Sequence, residues 1–279
     1  MVFRRNSTFG GALLAALSMW LLLPTVSCAN ASVLLEEQTW TELRDQIKSG
    51  MTTIIVPIGG VEQSGPAMAL GKHNVRVKFL AEKIAERLGN ALVAPVVSYV
   101  PEGSIDPPSG HMKFPGTITI STAAFEQMLE SAAGSFKLHG FKTIVLIGDH
   151  GGYQSSERAV ADRLNAKWKN TPVRVFAALE YYEITQGPYA DKLLSAGVKQ
   201  SEIGTHAGLA DTSLMLAVDP SMVRRDRIAT APKFGAADGV YGGDPARSSA
   251  ELGQLGIDLI VNGTTDAIRG FVAKQKLLK

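Results

Sequence analysis

Apolar residues along this chain fall into two alternating patterns. The first is a set of short continuous runs: Thr53-Ile54-Ile55-Val56-Pro57-Ile58, Leu92-Val93-Ala94-Pro95-Val96-Val97, Thr143-Ile144-Val145-Leu146-Ile147 and Val173-Arg174-Val175-Phe176-Ala177-Ala178-Leu179. They are rich in β-branched residues and lack strict alternation, so they predict strands buried on both faces. The second pattern has helical spacing. Val75 to Leu88 carries Val77, Leu80, Ala81, Ile84 and Leu88 on one side, and Ala123 to Leu138 follows the N-cap candidates Ser121-Thr122. Ser155 to Trp168 and Ser249 to Val261 have the same spacing. Strand–helix alternation predicts an α/β fold, a three-layer α/β/α domain with a mostly parallel central sheet and right-handed crossovers. Residues 222–244, rich in Gly, Arg and Asp, predict a long loop. No internal repeat or low-complexity linker divides residues 32–279, which read as one domain.

The N-terminal segment has a different character. Arg4 and Arg5 precede an apolar stretch from Ala12 to Leu23, and Ala29-Asn30-Ala31 supplies a small-x-small site. A bilayer needs roughly 20 apolar residues. The shorter run predicts a signal peptide over residues 1–31, cleaved after Ala31, and not a stable membrane anchor. The protein is then expected to be exported, periplasmic or secreted. The only cysteine, Cys28, falls in this segment; as a lipid-anchor site it would follow a weak lipobox, Thr25-Val26-Ser27. Without it the chain has no disulfide and no cysteine nucleophile, so a metal would bind through oxygen and nitrogen. Loss of Arg4 and Arg5 takes the 28 basic residues to 26, equal to the 26 acidic ones. Such a balance gives no field for nucleic acid.

In open α/β sheets, ligands bind beyond the carboxyl ends of the strands. The polar residues there are Glu62, Gln63 and Ser64 after the first strand, Asp149 and His150 after the third, and Glu180 and Glu183 after the fourth. Of the five histidines, His139 ends a helix directly before Gly140, where it complements the helix dipole, and reads as structural. His150 lies in Gly148-Asp149-His150-Gly151-Gly152, which reads either as a tight turn or as a site where backbone approaches a bound group. His206 opens His206-Ala207-Gly208-Leu209-Ala210-Asp211-Thr212-Ser213, whose end also reads as a helix N-cap. Glu62 and His73 are joined by a glycine-bearing excursion that can return to one pocket. A carboxylate and an imidazole suit zinc, manganese or iron.

Taken in order, these segments resemble the creatininase (creatinine amidohydrolase) family. Val56-Pro57-Ile58-Gly59-Gly60-Val61-Glu62-Gln63-Ser64-Gly65-Pro66 is similar to its first motif, P-x-G-S-x-E-Q-H-G-P. Phe114-Pro115-Gly116-Thr117, preceded by His111, is similar to its F-P-G-T segment. Asp149-His150-Gly151-Gly152 resembles N-G-H-G-G-N, the His206 segment resembles H-A-G-E-x-E-T-S, and Gly239-Val240-Tyr241-Gly242-Gly243-Asp244-Pro245 resembles a late G-V-x-G-D-P loop. The resemblance implies a metal-dependent amidohydrolase, often a homohexamer, in which metal-bound hydroxide attacks a cyclic or linear amide of a small molecule. By position, Glu62, His150 and Asp211 match metal ligands, and His206 matches a histidine that passes a proton to the leaving nitrogen.

The family's site holds two divalent ions, typically zinc or manganese. Here Ser64 stands where the family usually has a liganding histidine, His73 where it has a bridging aspartate, and Leu209 where it has a glutamate. Serine ligates these ions poorly and a neutral imidazole rarely bridges two. One ion held by Glu62, His73, His150 and Asp211 is therefore the expectation. His206 or His111 would donate a proton to the departing amine; His111 reads equally as a structural hydrogen bond in the Ser109-Gly110 turn. The altered ligands also fit an exported, non-catalytic binding protein for a small cyclic metabolite. A serine hydrolase built on Ser64 lacks the G-x-S-x-G elbow. Elemental analysis of the purified protein is expected to find about one equivalent of transition metal; two equivalents would rule out the single-ion site.

Overall fold

The computed structural model describes residues 1–2, 32–230 and 233–277. The expected export segment, Cys28 included, lies outside the described residues apart from Met1 and Val2. In chain order the regular elements are α1 (Trp40–Lys48), β1 (Thr53–Ile58), α2 (Lys72–Leu88), β2 (Ala91–Val93), α3 (Thr122–His139), β3 (Thr143–Gly148) and α4 (Gln154–Lys167). They continue with β4 (Arg174–Ala177), α5 (Glu180–Gln186), α6 (Pro188–Ser195), α7 (Gln200–Ile203), α8 (Leu209–Val218), α9 (Arg225–Thr230) and α10 (Ala250–Leu277). All belong to one of the two units into which the chain divides, Ser32–Lys279.

The four strands form one parallel sheet in the order β2-β1-β3-β4. The β1–β3 pair at its centre runs in register from Thr53 opposite Thr143 to Ile58 opposite Gly148. Side chains alternate across the sheet. Ile54, Val56, Ile58, Ile144 and Leu146 pack with Phe125 and Leu129 of α3 and Val160 and Leu164 of α4. Ile55, Val145 and Ile147 pack on the other face with Val77, Leu80 and Ile84 of α2 and Ile257 and Ile260 of α10. Two apolar layers, one on each face, make the three-layer α/β/α arrangement and explain the unbroken apolar strands.

Several boundaries differ from those predicted. The second strand stops at Val93, close to Pro95, which has no N–H to give. Helix α2 starts at Lys72, ahead of Val75, so Lys72, His73 and Arg76 sit on its first two turns. Helix α10 runs on to Leu277, and the loop expected over 222–244 contains α9 and a short 3-10 turn at Ala236–Asp238. From β1 the chain goes to β2 on one side and then to β3 on the other. The topological switch point therefore lies between β1 and β3, and their carboxyl ends open the crevice where such folds bind ligands.

Helices α8 and α10 approach closely because Gly253 has no side chain: a Cβ there would lie 1.9 Å from the Ser213 carbonyl oxygen. In α3, a Cβ on Gly134 would meet nothing within 4 Å. Gly253→Ala is expected to destabilise the fold by about 1–3 kcal/mol, and Gly134→Ala to stabilise it by about 0.4–1 kcal/mol. Denaturant unfolding of the two variants checks both signs.

Candidate metal centre

The centre is built around Glu62, just beyond the end of β1. The strand exit is held from two sides. Tyr153, fully buried, donates its hydroxyl to the Gly59 carbonyl at 2.6 Å, and the Gly60 N–H donates to Asn74 Oδ1 at 2.9 Å. The second bond ties the exit to the start of α2.

The Glu62 side chain is 0% exposed, and neither oxygen has a hydrogen-bond partner. Four imidazoles converge on it. His73 Nε2 and His150 Nε2 each lie 3.2 Å from Oε2. His206 Nδ1 lies 3.1 Å and His111 Nδ1 3.4 Å from Oε1. Glu62, His111 and His150 bring one ligand atom apiece within 4.8 Å of one another. Burial opposes ionisation of Glu62, yet the His73, Lys72 and His150 charges outweigh it and hold the carboxyl below its usual range.

Each imidazole arrives from a different segment. His73 sits on the first turn of α2 and its Nδ1 donates to Asp149 Oδ2 at 2.6 Å, which leaves Nε2 aimed at Glu62. His73 Nε2 is buried without a hydrogen-bond partner. Burial and Lys72 act against protonation of His73, but Glu62 and Asp149 prevail and raise its pKa. His150 follows β3 directly; burial pushes its pKa down to about 4. His206 is held by an antiparallel bridge to Tyr241, beside Ala207, whose φ of 55° is uncommon for a residue with a side chain. Its Nε2–H donates to the Gln63 carbonyl at 2.9 Å, so the Nδ1 lone pair faces Glu62. Burial, then Lys72, pushes His206 down to about 3. His111 lies in a 3-10 turn, Gly110–Lys113, with its Nδ1 2.8 Å from Gln63 Nε2. The same Gln63 amide reaches the Gly239 carbonyl at 3.2 Å, which joins the late glycine loop to the first motif. His139 ends α3 and is exposed.

Asp211 does not join the group. It sits in the first turn of α8, accepts the Ala207 N–H at 3.0 Å, and pairs with Lys72 and Arg76. Burial works against its charge, but these two cations hold its pKa well below the usual range. A carboxylate already neutralised by two buried cations has no charge to offer a metal. The expected ligand role for Asp211 is replaced by a role in a buried network. Arg76 continues that network to Asp149 Oδ1 and Oδ2 at 3.0 and 2.9 Å, and the Tyr181 hydroxyl donates to Asp149 Oδ1 at 2.7 Å. Ser64 is buried with no partner for its hydroxyl.

Lys72, Arg76, Tyr181 and Glu102 were not singled out from the sequence. Lys72 and Arg76 flank His73 at helical spacing, a signal legible once α2 is known to start at Lys72. Glu102 is buried near Glu62 and His150; burial, then the Glu62 charge, raises its pKa to about 8. A cavity of about 340 Å³ opens on the centre, lined by Lys72, His150, Tyr182, Tyr189, His206 and Tyr241.

The donor set suits a divalent ion: a buried carboxylate with both oxygens unpartnered, an unpartnered imidazole nitrogen, and only oxygen and nitrogen donors. An α/β/α sheet carrying such a centre at its switch point belongs to the open-sheet proteins that bind their ligand beyond the strand ends, here with a donor set fit for a metal. The creatininase family profile, described as creatinine amidohydrolase, matches residues 36–268, and the chain belongs to that family. Creatinine amidohydrolase of Pseudomonas putida is 29% identical over 260 residues, covering 85% of this chain and 96% of that protein. The mycofactocin precursor peptide peptidase of Mycolicibacterium smegmatis is 27% identical over 253 residues, 82% of this chain and 89% of its own length. A crystal structure of creatinine amidohydrolase superposes with a TM-score of 0.71 at 26% identity, over 85% of this chain and 97% of that one. Other creatininase structures are described as a manganese form and a Zn-Zn form.

Because Asp149 and Asp211 ionise at lower pH folded than unfolded, their network stabilises fully above about pH 4 and fades as the pH falls further. Arg76→Leu takes the shared cation from both carboxylates, leaving Asp211 with Lys72 and Asp149 with His73 and Tyr181, and is expected to cost about 3 kcal/mol at neutral pH, the lower end for a broken buried pair. The penalty should shrink as acid protonates the carboxylates, which urea unfolding at pH 7 and pH 4 reads directly.

Proposed function

We propose that this chain is a metal-dependent amidohydrolase acting on a small molecule that carries a cyclic or linear amide. The observation that carries it is Glu62: a fully buried carboxylate, unpartnered at both oxygens, with four imidazole nitrogens within 3.4 Å. Glu62, His73, His111 and His150 would hold a single zinc or manganese ion, with iron a further fit to the same donors. When bound, the ion supplies acidification of a water and polarisation of the amide carbonyl.

The chain's own residues do the remaining work. Neutral His206, with its proton on Nε2 and fixed by the Gln63 carbonyl, presents Nδ1 as a proton acceptor. It relays a proton from the attacking water to the departing nitrogen, and because burial and Lys72 keep its pKa at about 3 it gives that proton up readily. Tyr182, Tyr189 and Tyr241 line a cavity whose size, about 340 Å³, suits a small substrate. The relatives support this reading, since they are named for hydrolysis of a cyclic amide and of a peptide. Export, expected from residues 1–31, remains part of the proposal; among the described residues no helix is long and apolar enough to cross a membrane.

The test is turnover of a panel of cyclic amides, including creatinine, and short peptides, followed by amine or carboxylate release. Activity should vanish with a chelator and return on adding zinc or manganese. Glu62→Gln should lower both metal affinity and turnover by at least about 100-fold, the upper end of what outer-sphere changes cost. Binding of a panel member without turnover in the metal-loaded protein would sink the enzymatic reading.

A further inference from the structure

Glu102 has no evident reason to be where it is. Its side chain is completely buried, and neither oxygen has a hydrogen-bond partner. Space for it exists because residue 60 is glycine: a Cβ there would lie 2.8 Å from Glu102 Oε1. A carboxyl group buried in this way costs several kcal/mol unless something compensates it (about 2–7 kcal/mol even for an uncharged polar group). Its polar neighbours are Glu62, beside the same centre, and His150, whose Nδ1 lies 3.9 Å from Glu102 Oε2.

The tautomer of His150 explains the pairing. Its Nδ1 accepts the Gly152 N–H at 3.1 Å, so the ring proton is on Nε2, facing Glu62 Oε2 at 3.2 Å. A ligating nitrogen has to be bare. An ion beside Glu62 therefore requires the Nε2 proton to leave to solvent and Nδ1 to take one, with the ring neutral before and after. Nδ1–H would then point at the Gly152 N–H, donor against donor, and needs an acceptor. Glu102 Oε2 is the carboxyl oxygen in reach, 3.9 Å away. The same device is already present across the centre, where Asp149 Oδ2 holds His73 Nδ1 at 2.6 Å and leaves Nε2 facing Glu62.

We propose that Glu102 is a positioning residue for His150: it accepts the Nδ1 proton and so turns the Nε2 lone pair towards the ion beside Glu62. Asp149–His73 and Glu102–His150 then form two carboxylate–imidazole pairs flanking one Glu62. This rests on the metal-site reading above and adds to it a residue with no counterpart in the five motifs.

Zinc titration against a competing chelator tests it with Glu102→Leu, which removes the acceptor without burying a new polar group, and Glu102→Gln, which keeps an acceptor oxygen. The leucine variant should bind zinc about 10–100-fold more weakly, with the glutamine variant near wild type. A crystal structure of the zinc-loaded wild type should show the ion at His150 Nε2 and the Nδ1–Oε2 distance shortened from 3.9 Å to about 2.7–2.9 Å. It decides the matter even if the leucine variant does not fold. Zinc on His150 Nδ1, or equal affinity in wild type and the leucine variant, overturns the role of Glu102 alone. Wild-type protein that takes up no zinc removes the metal-site reading and this inference with it.

Discussion

The Glu62 carboxylate is buried beneath four imidazoles, and the rest of the centre follows from the need to compensate that charge. A carboxylate with no access to water must have a cation or strong donors beside it. None of the four imidazole nitrogens makes a hydrogen bond of good geometry to it, although all stand within 3.4 Å. That arrangement is what supports the proposal of a cation shared between the imidazoles and the carboxylate. Glu62 reaches this position because β1 ends at the switch point of a 2-1-3-4 sheet, where the strands on either side diverge and leave a crevice.

Around this group lies a second layer of charge. Lys72, His73 and Arg76 come from the first two turns of α2; Asp149 comes from the end of β3, and Asp211 from the first turn of α8. Two buried cations, the buried Asp149 and the partly buried Asp211 bind α2, the β3 exit and α8 to one another. Such a network is expensive to desolvate and is not a means to high stability. Its value here is positional: Asp149 can hold His73 by its Nδ1 because Arg76 and Tyr181 hold Asp149. The same network engages Asp211, which the family resemblance suggested as a ligand, with Lys72 and Arg76.

The five motifs that suggested the family are scattered over the chain, yet four of them meet at Glu62. Gln63 of the first motif contacts His111 beside the second, the ring of His206 in the fourth through both its carbonyl and its side-chain amide, and Gly239 in the fifth. His150 of the third faces Glu62 from the other side. Each late motif therefore serves to close the pocket over the first, and a shift in any of the three loops would move an imidazole relative to the same carboxylate.

The amino-acid sequence by itself determined the α/β class, the buried parallel strands and the ends of the strands as the place for chemistry, because apolar run length and the spacing of helical faces are local properties. Glu62, His73, His111, His150 and His206 were legible as candidates, since each lies in a polar, glycine- or proline-bearing segment next to an apolar one. Only the tertiary structure decided what each does. Whether an acid ligates a metal or neutralises a lysine depends on which cation folding brings within reach, and Lys72 and Arg76 reach Asp211 across more than a hundred residues of chain. Glu102 was invisible for the same reason: one carboxylate in a loop has no pattern, and its meaning comes from the histidine nitrogen that the fold sets 3.9 Å away.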